Sequence, residues 1–344
     1  TNGKNAPVTV PQPVVQVKGL GQYATMADAF AAIKAGDADS YTLTLLDDVT
    51  LEATDTSGAS GVVELPAKAL TIQGDGHTLS AGGTTRNYVY AAADLTLDNV
   101  KLNMPKTYLR ITGEGATVTV EGSVTGELEK IDANVSTGCT VLVKAPVSDA
   151  VIDGIAGTSK NKMTVILQGY GSLDAPATKT AFPTISNNSG TLVLENSWLV
   201  ADNAANWGSI EVRQGGGLSL TGSIPNASVK GWKVADGVVA DLTVKNGKLT
   251  VNGAVSGKTK IHFSGDDMTA EGKVPVKAAQ ADLGAFALAE PLNGLTLLPD
   301  ADGNYTLVPL TVKDPAVTVS GGSLGNGVQF ASWDEATAVL QNAA

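Results

Sequence analysis

Leu95-Thr96-Leu97-Asp98-Asn99 decides the fold, because the chain repeats its pattern as Val118-Thr119-Val120-Glu121-Gly122. In both phrases the first and third residues are apolar and the second is Thr. Alternation of period two puts the first and third side chains on one face of a β-strand. Asn or Gly in fifth place tolerates the left-handed backbone that turns a chain sharply. Working outward, phrases of this kind start at 43, 70, 95, 118, 141, 165, 192, 218 and 242, at intervals of 23 to 27 residues. A tenth, Ile261-His262-Phe263-Ser264-Gly265, follows. At roughly 3.3 Å per strand residue, such an interval accommodates three short strands and three corners. Each circuit then stacks on the last and closes its backbone ladder. The expected fold is all-β, a right-handed parallel β-helix of about ten ~25-residue rungs. All nine phrases are expected in one parallel sheet, with Leu70, Leu95, Val118, Val141, Val165, Leu192, Leu218 and Leu242 in a single inward column. The competing reading is an antiparallel sandwich, in which residues 242–251, with Asn246-Gly247 between, form a hairpin.

Composition agrees with a thin, dry core. Of 344 residues 43% are apolar but only 5% aromatic, and stacked strands leave little room for rings. The net charge of −11, with only Arg86, Arg110 and Arg213 as arginines, offers no clustered cations for a phosphate backbone or an anionic membrane surface. No apolar run is long enough for a spanning helix. Cys139 is alone, so no intrachain disulfide forms. The start, Thr1-Asn2-Gly3-Lys4-Asn5, has neither Met nor a leader and reads as a mature form or an excised piece.

Residues 1–22 are expected to be extended, with a capping helix over 25–36 at the head of a β-helix spanning 23–312. Thr25 is the N-cap, Asp28 completes a capping box, and Met26, Ala29, Phe30 and Ile33 form one stripe. Gly36 is placed to stop it. Residues 266–312 read as irregular final rungs. Residues 313–344 then repeat the opening: Pro13-Val14-Val15-Gln16-Val17 returns as Pro315-Ala316-Val317-Thr318-Val319, and Tyr23, Thr25 and Asp28 return as Phe330, Ser332 and Glu335. They start a second unit, within a longer tandem chain, or cap this one with a strand and helix.

The helix of form Tyr-x-Thr-x-x-Asp-Ala, followed by Thr42-Leu43-Thr44-Leu45-Leu46-Asp47-Asp48-Val49-Thr50-Leu51, resembles the opening of pectin-lyase-like β-helix repeats in bacterial surface proteins. Leu192-Val193-Leu194-Glu195-Asn196 is similar to their rungs. The resemblance covers residues 20–310 and implies an extracellular or cell-surface role, adhesin-like or glycan-associated. A repeat pattern specifies fold better than function.

Chemistry is sparse. Asp98, Glu121 and Glu195, at equivalent places on their rungs, are interrupted by Gln73, Lys144, Gln168 and Thr221, the pattern of a solvated face. A glycosidase needs converging carboxylates, and a zinc site needs more than the distant His77 and His262. No catalytic residue, metal or cofactor is expected, and Cys139 reads as an idle buried thiol. Asp300-Ala301-Asp302-Gly303-Asn304 reads as a hairpin turn, lacking the distal Glu of a calcium loop. Two features suggest a contact surface. The outward second place becomes apolar in Leu142, Ile166 and Val193, and Tyr170, Trp198, Trp207 and Trp232 cluster nearby in a ring-poor chain. The expected function is a non-catalytic module binding glycan or a host protein through these residues. The alternative is a polysaccharide lyase or glycosidase on the same fold.

Overall fold

The structure is a computed structural model that describes residues 11–53, 61–81, 86–135, 137–157, 162–202, 204, 207–279, 284–292, 294–311, 314–321 and 326–341. Parallel coils stack into a β-solenoid of about nine turns. The first wall carries the expected column. Leu70, Leu95, Val118, Val141, Val165 and Leu192 lie opposite one another on successive rungs, and all point into the core. The first rung is offset by two residues, since Tyr41 pairs with Leu70 and Leu43 with Ile72.

The single column does not extend to Leu218 and Leu242. Leu192 pairs instead with Ile210, and the first wall continues through Trp232 and Val255. Leu218 and Leu242 belong to a separate sheet in which Leu199, Leu218, Leu242, Ile261 and Leu288 are aligned. The physical reason is that any wall of a solenoid needs one apolar and one polar face. A Leu-x-Leu phrase therefore suits every wall, and the chain moves it to a new one after the turn at Asn196. Nor is there a hairpin at Asn246-Gly247. Leu242 pairs with Leu218 and Ile261, whereas Leu249 pairs with Ala227 and Val276 in another parallel sheet. Among the described residues antiparallel pairing is confined to the two ends of the chain.

The left-handed turn expected at the fifth place of the phrase forms in four of the ten. Asn99, Gly122, Gly169 and Asn196 have φ of +50°, +67°, +86° and +45°. Gly74, Gly222, Asn246 and Gly265 do not take it; after Gly74 the left-handed step falls on Asp75 and Gly76, and Gly74 is needed because the backbone of Val100 lies where a Cβ would stand.

Helix α1 (Met26–Ala35) forms where its signals place it. Thr25 Oγ1 accepts from the Asp28 backbone N–H at 3.0 Å, and Met26, Ala29, Phe30 and Ile33 are buried against the first rung. Gly36 ends it with an ordinary negative φ. Glycine is required there by the Tyr41 hydroxyl, which fills the position of a Cβ. At the far end Leu295–Pro299 and Asn304–Pro309 form a hairpin whose second strand closes antiparallel on Val276–Ala278. Its turn is held by Asp300, which accepts from the backbone N–H groups of Asp302 and Asn304, both at 2.9 Å. Helix α2 (Trp333–Gln341) follows the hairpin of Val317–Ser320 and Asn326–Phe330.

Candidate functional site

The four rings expected on the surface are interior. Tyr170, Trp198 and Trp207 are each 3% exposed and Trp232 is 1% exposed. Tyr170 donates its hydroxyl to the Val147 carbonyl at 2.7 Å, and burial pushes its pKa up. Phe182 meets Tyr170 and Trp207 edge-on, with ring centroids 6.2 and 6.4 Å apart. Trp232 donates Nε1–H to Thr259 Oγ1 at 2.9 Å. Trp198 packs over Gly217, the one residue that leaves room for its ring. None of these rings offers a face to a sugar: Tyr170, Trp207 and Trp232 belong to the core, and Trp198, on an outward place beside the inward Leu199, is nonetheless buried.

The apolar strip does assemble. Leu142, Ile166 and Val193 are aligned on successive rungs of the first wall. Leu142 and Ile166 are half-buried, but Val193 is buried and contributes no contact surface. Thr243, outward by alternation, is also buried, and its hydroxyl lacks a hydrogen-bond partner. The acids of the phrase lie in one column with partners from adjoining rungs. Lys144 meets Glu121 at 2.5 Å, and Glu195 accepts from Gln168 at 2.9 Å and from Arg213 at 3.1 Å. Arg213 and Lys233 together hold Glu211 below the usual carboxylate range, against the opposing effect of its burial. His262 faces outward and contacts Asp241 at 2.8 Å. Cys139 is buried, which raises its thiol pKa. Among the described residues no three His, Cys, Asp or Glu side chains converge as metal ligands.

A different cluster occupies the outer face of the early rungs. Asn87–Ala91 pairs in parallel with the second half of Lys101–Ile111, which pairs in turn with Thr125–Ala133. Alternation sends Val89, Leu109 and Ile131 into the core, so the residues between them must face out. The register aligns Tyr88, Tyr108 and Lys130 in one outward column and Tyr90, Arg110 and Asp132 in the next. All six are half-buried.

These side chains interlock. Tyr88 and Tyr108 meet edge to face at 5.6 Å, and Tyr90 lies 6.1 Å from Tyr88. The Arg110 guanidinium sits 4.5 Å over the Tyr88 ring and grips Asp132 through two bonds of 2.9 and 2.6 Å. That bidentate carboxylate is the main reason why Arg110 holds its proton well above the ordinary arginine range. Arg86 sits 4.5 Å over Tyr108, and its side chain, half exposed, reaches Glu129 at only 3.5 Å. Lys130 approaches the same ring at 5.1 Å. Two of the chain's three arginines and three of its seven tyrosines thus share one wall. Arg110 spends its Nε and Nη2 edge on Asp132, whereas Arg86, over the neighbouring ring, keeps donors that a planar anion can meet. Beyond Lys130 the column reaches Gly154, which leaves the surface low on that side.

Sequence reasoning missed this cluster although a signal was present. Asn87-Tyr88-Val89-Tyr90-Ala91 and Thr107-Tyr108-Leu109-Arg110-Ile111 show the same alternation, with rings and cations in the outward places. They lie on a different wall from the nine phrases.

Comparison of the chain with known protein families, with curated proteins and with solved structures finds no match in any of the three.

Proposed function

We propose that this β-solenoid is a non-catalytic, surface-displayed module that binds a glycan carrying carboxylate groups. The observation that carries the reading is the wall of Tyr88, Tyr90 and Tyr108 with Arg86, Arg110 and Lys130 laid against the rings. Aromatic edges and faces suit sugar C–H groups, and a stacked guanidinium suits a uronic acid carboxylate. Arg86, Arg110 and Lys130 stand here beside Glu64, Glu129 and Asp132, and it is Arg86, half exposed and only loosely paired, that is open to an acidic ligand. Asp132 is tied to Arg110 and Glu129 faces Arg86, so the carboxylates here serve as counter-ions, an arrangement suited to binding rather than acid–base work. The likeness of the opening and rungs to pectin-lyase-like repeats of bacterial surface proteins supports the extracellular setting and the adhesin-like role.

A glycan array with acidic and neutral sugars tests the proposal. Acidic glycans should bind, Arg86→Ala and Tyr108→Ala should each weaken them about tenfold or more, about 1.4 kcal/mol, and Trp207→Phe should not. Binding confined to neutral sugars, or wild-type binding of acidic glycans by both wall variants, overturns it.

A further inference from the structure

We infer that the hairpin of Val317–Ser320 and Asn326–Phe330 together with helix α2 forms a second opening cap, whose apolar face is built to seat the first rung of another solenoid unit of this kind. The likeness to the first cap extends to individual bonds. Val15 lies opposite Tyr23 and Val317 opposite Phe330 in the two antiparallel hairpins. The Val14 N–H donates to the Tyr23 carbonyl at 2.9 Å, and the Ala316 N–H to the Phe330 carbonyl at 3.0 Å. Thr25 accepts from the Asp28 N–H at 3.0 Å and Ser332 from the Glu335 N–H at 3.1 Å. Ala29 and Ala336, equivalent in the two helices, are both fully buried.

The two caps differ in what lies against them. The outer edge of Val15–Val17 pairs antiparallel with Ser40–Leu45, through Val15 opposite Leu45 and Val17 opposite Leu43. Among the described residues Val317–Ser320 has no strand on that edge. Val15 and Val17 are buried, whereas Val317 and Val319 are only half-buried. Helix α1 covers the first rung with Met26, 6% exposed, and Ile33, fully buried. Their counterparts in α2 are Trp333, 68% exposed, and Leu340, 40% exposed.

The chemistry of the missing partner follows. An open strand edge presents backbone N–H and C=O groups that another strand satisfies, not a sugar or a lipid. The flanking apolar side chains call for alternating aliphatic residues on that strand, as in Thr42-Leu43-Thr44-Leu45. The intact first rung of a second copy cannot serve, because Ser40–Leu45 is already paired on both edges. The fitting occupant is a rung that enters from α2 as Ser40–Leu45 enters from α1.

The test joins residues 38–312 directly after Ala344, which preserves the helix-to-rung spacing of the first unit. Trp333 is the exposed tryptophan, while Trp198, Trp207 and Trp232 are buried, so iodide quenching reports on α2. In the fusion the quenchable fraction should disappear and the emission should shift to the blue, and Leu340→Asp should restore both. A second fusion, in which residues 14–37 replace 316–344 ahead of the added unit, shows that the unit folds behind a cap. An added unit that folds there but not behind α2, or that folds behind α2 while Trp333 stays quenchable, overturns the inference.

Discussion

The early rungs and the late rungs of this solenoid use their rings in opposite ways. Between residues 87 and 110, Tyr88, Tyr90 and Tyr108 stand on the outer wall among cations. Between 170 and 305, Tyr170, Phe182, Trp207, Trp232, Phe286 and Tyr305 lie in the core, with Phe286 and Tyr305 edge-on at 5.0 Å. Strand parity decides between the two. Tyr88 and Tyr90 flank the inward Val89, whereas Trp232 takes the inward place between Ile210 and Val255. A cluster of rings along a sequence therefore says little about a surface until each ring has been assigned to a strand face.

The sharpest way to break this contrast is to put a charge in the core where the two regions meet. Leu194 is fully buried and aligned with Leu167 and Val212. Leu194→Asp should cost about 4 kcal/mol or more, since a lone carboxylate there has no partner. Ser228→Asp, on an exposed outward place of the late rungs, should cost less than ~0.5 kcal/mol. Equal losses in thermal melts would mean that the faces are misassigned. Next in size is the ring comparison itself. Trp232→Ala should lose about 3–5 kcal/mol by emptying the core and stranding the Thr259 hydroxyl. Tyr108→Ala should lose no more than ~1.5 kcal/mol, the scale of exposed ring and cation contacts. Denaturant titrations with similar midpoints for both variants would contradict the opposite placement.

The smallest expected effect concerns acid. Glu211, held between Arg213 and Lys233 on the late first wall, has a carboxyl pKa lowered from its ordinary 4.5. A lowered folded-state pKa means that its stabilisation is complete above that ordinary value. It is lost as the pH falls below 4.5 through the folded-state pKa. Partial exposure keeps the contribution under ~1 kcal/mol. Melts of wild type and Glu211→Gln should therefore converge on acidification. A gap that stays constant from neutral pH to pH 3 would show that the ion pairs contribute nothing.

Much of the architecture was legible, and for identifiable reasons. Apolar residues two apart, with Asn99, Gly122, Gly169 or Asn196 at the turn, leave few alternatives to short parallel strands joined by left-handed corners. Thr25 and Asp28, or Ser332 and Glu335, announce helices because the capping bonds are local. The candidate site was not legible by the same route. Its residues come from three rungs, and only the register that aligns Tyr88 with Tyr108 and Lys130 makes them neighbours.

By itself, then, the sequence determined the period, the inward and outward faces of the first six aligned phrases and the duplicated cap signals. All of these depend on contacts within a few residues or on a repeating pattern. The tertiary structure alone decided that Leu218 and Leu242 change walls, that Trp198 and Trp207 are buried, and that Trp333 is bare where Met26 is covered. Those outcomes depend on which rung lies beside which, and on what covers each wall there. A side chain's exposure is settled by neighbours some 25 residues away in the chain, which local alternation does not encode.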